Sequence, residues 1–132
     1  MFMTESLNAD AQAWADLQAS QGTGSHSHLA GIGENIAMYW SGTSHVERWV
    51  RQSLADASVM WYDEVKNYDF DSPRSNDISS VGHFTQMVWD ESTELGVGWA
   101  IGECDDYDGC KYSAFMNICL TSEFGHFLKL SE

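Results

Sequence analysis

Between Ser6 and Leu17 the apolar residues fall at Leu7, Ala11, Trp14 and Leu17, the spacing of one helical face. Ser6 reads as the cap of this helix and Ser20-Gln21-Gly22 as its stop. Residues 22–27 are loop by composition. Gly33-Glu34-Asn35-Ile36-Ala37-Met38 then reads as a short helical turn, halted at Ser41-Gly42. A longer helical pattern follows. Ser44, with Glu47 three residues on, has the form of a capping box. Val46, Trp49, Val50, Leu54, Ala57, Met60, Trp61, Val65 and Tyr68 make one wide apolar stripe behind it. Residues 69–80 form a polar connection that contains Pro73.

Beyond that connection the period shortens to two. His83 to Trp89 is the first predicted strand. Leu95 to Ile101 is the second, with Val97, Trp99 and Ile101 alternating. Lys111 to Leu120 is the third, with Tyr112, Ala114, Met116, Ile118 and Leu120 alternating. Glu91-Ser92-Thr93 and residues 105–109 are the turns between them. Helices first and an antiparallel meander afterwards predict an α+β fold, not a parallel α/β one. No internal repeat or linker divides the chain, so residues 1–132 read as a single domain.

Composition narrows the function classes. The 132 residues suit one domain, and 43% hydrophobic with 13% aromatic residues is enough for a real core. A net charge of −14 repels phosphate backbones and anionic lipid surfaces, which argues against nucleic acid as a partner. No apolar run approaches the roughly 18 residues of a transmembrane span. Met1-Phe2-Met3 runs directly into Thr4-Glu5-Ser6, without the basic start and apolar stretch of a secretory leader. Three cysteines, Cys104, Cys110 and Cys119, leave one thiol over after any pairing. One disulfide among them fits a secreted protein, and three free thiols fit a cytosolic one.

Glu64 is the first candidate for chemistry. It falls within the apolar stripe, between Met60 and Tyr68, where a carboxylate needs a partner, a proton or a metal. His83 follows Gly82 at the head of an apolar segment, and histidine is both the common metal ligand and the usual proton carrier near neutral pH. Glu34 sits between Gly33 and Asn35, and a helix-capping role competes with a functional one there. His26 and His28 precede it in the loop. Two histidines and two glutamates brought together would suit a divalent metal. HExxH, phosphate-loop, GxSxG and EF-hand patterns are absent.

Four segments carry a family resemblance. Gly33-Glu34-Asn35-Ile36-Ala37 resembles a GENhA element. Residues 61–70, WYDEVKNYDF, resemble WYxEhxxYxF. Residues 82–89, GHFTQMVW, match the signature GHFTQhVW, and residues 92–98, STELGVG, match the STxhGhG after it. In order and spacing they are similar to the CAP superfamily of cysteine-rich secretory proteins, antigen 5 and plant pathogenesis-related proteins, and look especially like its Golgi-associated and fungal sterol-exporting branches. The match covers about residues 6 to 101. The family's first helix, with its HNxxR motif, has no counterpart before Ser6, so the chain reads as N-terminally truncated. The tail from about residue 120 is atypical.

The resemblance implies an α-β-α sandwich with a central antiparallel sheet and a large cleft. The cleft residues it assigns are His26, Glu34, Glu64 and His83. His26-Ser27 fits the family's His-Ser pair best, with His28 as the second candidate. Zinc or a similar divalent metal is the implied cofactor, on His26 and His83 with Glu34 and Glu64 nearby. The implied role is an extracellular binding protein in defence or signalling, whose partner is a lipid or sterol, or another protein. A Golgi or cytoplasmic location is the alternative. Two other functions follow from the same residues. One is a zinc-dependent hydrolase (a protease) with a glutamate as general base. The other is an interaction domain whose charge steers a cationic partner. Family likeness alone does not confer activity, and the reading leans away from an enzyme.

Overall fold

The computed structural model describes residues 1–41, 46–103 and 112–122; side chains at 46–51, 54, 114–117 and 119–122 lie outside the description. After a two-residue strand β1 (Phe2–Met3), helix α1 spans Glu5–Gln21. Its cap is Thr4, not Ser6. Thr4 is extended, and its side chain accepts the Leu7 amide at 3.4 Å, which brings Glu5 into the first turn beside the exposed amides. Gly22 ends the helix with φ +64°, a left-handed conformation that glycine adopts without a Cβ penalty, and its N–H closes on the Gln18 carbonyl.

The buried face of α1 is Leu7, Ala11, Ala15 and Gln18. Leu17 is 39% exposed, and Trp14 turns aside to donate its indole N–H to the Ser25 carbonyl at 2.7 Å. The strand beneath explains the difference. A Cβ on Gly96, Gly98 or Gly102 would run into the α1 backbone at Leu7, Ala11 and Ala19 respectively. Helix and strand meet backbone to backbone, so small residues face the sheet and the larger ones turn to the rim. Asn8 and Gln12 accept the amides of Val97 and Trp99, which fixes the helix along the strand.

The sheet has four strands in the order β1-β3-β4-β2. β3 (Ser92–Glu103) and β4 (Tyr112–Ser122) form the antiparallel pair foreseen from the alternation, β1 joins β3 in parallel, and β2 (Ile32–Ser41) pairs antiparallel with β4 at the opposite edge. The register Asn35–Ile118–Val97 sets one face of the sheet, and Glu34–Cys119–Gly96 the other. β2 corrects the helical turn expected over residues 33–38. Its Glu, Asn, Ala and Met content is compatible with a helix, but pairing with β4 over ten positions overrides local propensity.

Helix α2 (Val46–Asp63), a 3-10 turn over Glu64–Asn67 and helix α3 (Ile78–Met87) cover the face opposite α1. Ala57 and Trp61 pack on Ala37, with Tyr39, Met87 and Ile118 around them. Of the apolar stripe of α2, Ala57 and Trp61 are buried and Met60 is exposed; the side chains of Val46, Trp49, Val50 and Leu54 lie outside the description, and Val65 and Tyr68 lie beyond the α-helix. α3 corrects the strand expected over residues 83–89. The segment is rich in aromatic and β-branched residues, yet the Asp77 side chain caps a helix by accepting the Ser79 amide. The elements therefore interleave instead of running helices first. The expected Ser44 cap, the turn at 105–109, Cys104, Cys110 and residues 123–132 lie outside the described residues.

Two glycines separate packing from propensity. Gly98→Ala forces a methyl into the α1 backbone and is expected to destabilise by about 2–3 kcal/mol. Gly82→Ala places its Cβ 3.7 Å from the Ile78 side chain, in open helical surroundings, and is expected to stabilise by about 0.5–1 kcal/mol. Urea denaturation midpoints of the two variants should move in opposite directions. Asp77 gives a pH signature. Hydrogen bonds from the Ser79 side chain and amide hold its pKa below the ordinary 3.8, so its contribution is complete above that value and is lost as pH falls through the lower folded value. Acid titration of unfolding stability should show this loss, and Asp77→Asn should flatten it.

Candidate functional site

Glu64 begins the 3-10 turn where α2 ends, so its side chain leaves the helix pointing toward α3. It is 19% exposed, and both its oxygens are engaged. Oε2 accepts the amides of His83 at 2.9 Å and Phe84 at 3.1 Å. Oε1 lies 2.7 Å from His83 Nδ1. The apolar-stripe argument is thus answered by three hydrogen bonds, which satisfy a half-buried carboxylate.

His83 is held from every side. Trp61, one turn before Glu64, stacks on its ring with centroids 5.9 Å apart and planes at 18°. Asn35, only 2% exposed, donates its side-chain amide to the His83 carbonyl at 3.0 Å and so ties α3 to β2. A Cβ on Gly33 would strike the Gln86 side chain, so glycine there lets α3 sit close. With Nδ1 committed to Glu64, the ring has Nε2 left for other chemistry.

The second pair is His26 with Glu34. Glu34 Oε2 meets His26 Nδ1 at 2.8 Å and the Ser27 amide at 2.9 Å. The glutamate side chain is 5% exposed and the histidine 58%. Among the described residues Glu34 Oε1 is buried without a hydrogen-bond partner. His28, in a left-handed conformation with φ +58°, is exposed, so His26 is the histidine that reaches Glu34. Because Glu34 and Asn35 are neighbours on a strand, they point to opposite faces. The His26–Glu34 pair lies on the α1 face of β2, and the His83–Glu64 pair on the α2–α3 face.

A cavity of about 200 Å³ opens beside the His83–Glu64 pair, lined by Ile36, Ala37, Met38, Tyr39, Met60, Trp61, Glu64 and His83. Its walls are mostly apolar. The Tyr39 hydroxyl donates toward Met60 Sδ at 3.8 Å; burial and the nearby Asp56 carboxylate raise its pKa above the ordinary 10.0. An aromatic chain continues behind the cavity: Phe84 meets Tyr62 and Tyr68 edge-on, and Tyr68 meets Phe70.

The chemistry of the donors suits a metal. In each pair a carboxylate holds Nδ1 and leaves Nε2, the arrangement that orients metal-binding histidines, and Glu34 keeps a buried oxygen to spare. His26 and His83 would each offer Nε2 to an ion, but they stand on opposite faces of β2, so the structure does not bring the four residues into one site. Among the described residues no three His, Cys, Asp or Glu side chains form one metal-sized group. Asn35, Trp61 and Tyr39 are the site residues that reading by residue type passed over. Asn35 carried a signal: on the same strand face as Gly33 and Ala37, it is a polar residue with a helix laid over it.

Comparison with known proteins agrees with this architecture. The family model described as "CAP: Cysteine-rich secretory protein family" matches residues 3–120, a wider span than the 6 to 101 read from motifs. Venom allergen 5.02 of Vespa crabro is 38% identical over 90 residues, covering 67% of this chain and 41% of the relative. Golgi-associated plant pathogenesis-related protein 1 of Homo sapiens is 34% identical over 101 residues, covering 74% and 58%. Protein PRY2 of Saccharomyces cerevisiae is 33% identical over 117 residues, covering 87% and 31%. The chain therefore spans between 31% and 58% of these relatives' lengths. The solved structure of BmVAL-1 superposes with a TM-score of 0.69 at 28% identity, over 92% of this chain and 60% of that one. A crystal structure of NaASP2 with Zn2+ shares the fold at a TM-score of 0.51 and 22% identity, over 91% and 58%. With the GHFTQMVW segment at α3 and the GENIA segment at β2 placed in one sandwich, the chain belongs to the CAP family.

Proposed function

We propose that this chain is a secreted binding protein, not a hydrolase, and that the cleft beside His83 and Glu64 is its ligand site. The observation that carries the reading is the state of Glu64. A general base needs a lone pair aimed at the water it activates. Glu64 instead accepts hydrogen bonds on both oxygens and serves to position His83. Glu34 is similarly committed on one oxygen, and its other is buried. Secretion is supported by relatives named as venom allergens.

Volume limits what the cleft encloses. Sites that bury a whole drug-sized ligand occupy roughly 300–1,000 Å³, and this one offers about 200 Å³. It takes one apolar portion of a ligand, the end of a sterol or acyl chain or a side chain of a protein partner, between Met60 and Trp61. A divalent metal on the Nε2 atom of His83 would add a positive charge at the rim for a ligand's oxygen; His26 stands with Glu34 on the other face of β2. The carboxylates' part is to fix the two rings.

Three measurements test this. Casein and a generic ester, incubated with the protein and zinc, should show turnover no faster than buffer; chelator-sensitive hydrolysis that Glu64→Gln abolishes contradicts the reading. Glu64→Gln should retain the fold but lose about 1–3 kcal/mol of stability, since an amide oxygen cannot serve three donors. A fluorescent sterol and a dansyl fatty acid should bind saturably, and Met60→Lys, at a residue 57% exposed on the cavity wall, should weaken them. Unsaturable binding of both to folded protein counts against a lipid ligand.

A further inference from the structure

The cleft's wall on the sheet side is an unusual one. Among the described residues β2 is an edge strand: β4 pairs with one side of it, and the cavity lies along it with Ile36, Ala37, Met38 and Tyr39 all contributing. Neighbouring strand residues point to opposite faces. A cavity that touches four in succession, with Met60, Trp61, Glu64 and His83 opposite, lies on the α2–α3 face and reaches the strand's backbone as well as its side chains. With an antiparallel partner on one side only, alternate residues turn N–H and C=O outward. Such an edge is a ready template for another strand.

The facing wall is α2, and it runs alongside the edge. Tyr39 meets Met60, Ala37 packs on Trp61, and Asn35 meets His83, which Glu64 holds. Asp56 stands near the Tyr39 end, close enough for its charge to act on that hydroxyl. Asp56 and Met60 are spaced four apart on α2 and share a face, and Glu64 follows four residues on in the 3-10 turn, its charge beside His83, where its oxygens are already hydrogen-bonded. The series reads acid, apolar, acid. Four residues of helix advance about 6.0 Å and two residues of strand about 6.7 Å. A strand laid in the groove would bring every second side chain alongside one member of that series.

We infer that the cleft takes an extended segment of a partner protein, added beside β2 as a fifth strand, with an alternating basic–apolar–basic sequence of the type Lys-x-Leu-x-Lys. The apolar residue enters the cavity of about 200 Å³ between Met60 and Trp61. The basic residues face Asp56 and Glu64, and a chain with six lysines and arginines against twenty acids repels an acidic segment throughout. Outward backbone groups of β2 supply sequence-independent hydrogen bonds, and the acid–apolar–acid series supplies the selection. This rests on the reading that the cleft binds, and it names the partner's chemistry.

The test uses three blocked heptapeptides and isothermal titration. The first is Thr-Lys-Thr-Leu-Thr-Lys-Thr, the second has Glu in place of Lys, and the third is the first with alternate amides N-methylated. The lysine peptide should bind one to one. The other two should bind about tenfold more weakly or worse, since one loses charge complementarity and the other its backbone pairing. Asp56→Asn, on an exposed surface of α2, should weaken the lysine peptide several-fold with an unchanged circular dichroism spectrum. Equal binding of the N-methylated peptide overturns strand addition. So does binding of the fluorescent sterol with none of the peptides. A lysine peptide that binds and is then found cleaved by mass spectrometry upholds the docking mode and contradicts only the non-catalytic reading.

Discussion

The carboxylate of Glu64 is the constraint on which the cleft depends. It sits where α2 gives way to a 3-10 turn, too enclosed to rely on solvent, and it resolves its charge on two backbone amides and one imidazole of α3. A buried-side carboxylate with three donors is a fastener between elements that otherwise share few polar contacts. α3 is in turn tied to β2 through Asn35, and α2 to β2 through Trp61 on Ala37. The position and orientation of His83 are consequences of these links.

A second constraint shapes the opposite side. Glycines on β3 admit the α1 backbone directly, which leaves the polar side chains of Asn8 and Gln12 to bond strand amides. That close seat anchors the loop after α1, where His26 and Ser27 reach Glu34. The two His–Glu pairs thus depend on different layers of the sandwich, and the edge strand β2 is the element common to both. Ile36 to Tyr39 give the cleft its sheet-side wall, while α2 and α3 give it Met60, Trp61, Glu64 and His83.

Some of this was legible in the residue pattern. β3 alternates because Gly96 and Gly98 admit α1 on one face while Val97, Trp99 and Ile101 take the other, and α2 shows part of its stripe because Ala57 and Trp61 face the sheet. Glu64 stood out because a carboxylate within an apolar stripe is anomalous whatever its partner. β2 and α3 were misread, each as the other's type. Gly33, Glu34 and Asn35 owe their strand to pairing with β4, and His83 to Met87 owe their helix to the Asp77 cap and to Glu64, partners distant in sequence. The pairing of His26 with Glu34 required the left-handed close of α1 at Gly22 and the path of the loop beyond it, which local propensity does not encode.

The most direct measurement is a scalar coupling across a hydrogen bond, observed by NMR on isotope-labelled protein. If Glu64 fastens α3 and thereby sets His83, the amide nitrogens of His83 and Phe84 must couple to the side-chain carboxyl carbon of Glu64. Resolved couplings at both amides are the predicted result. Amides that couple only to main-chain carbonyls, with none to Glu64, would contradict the fastener and with it the geometry of the cleft.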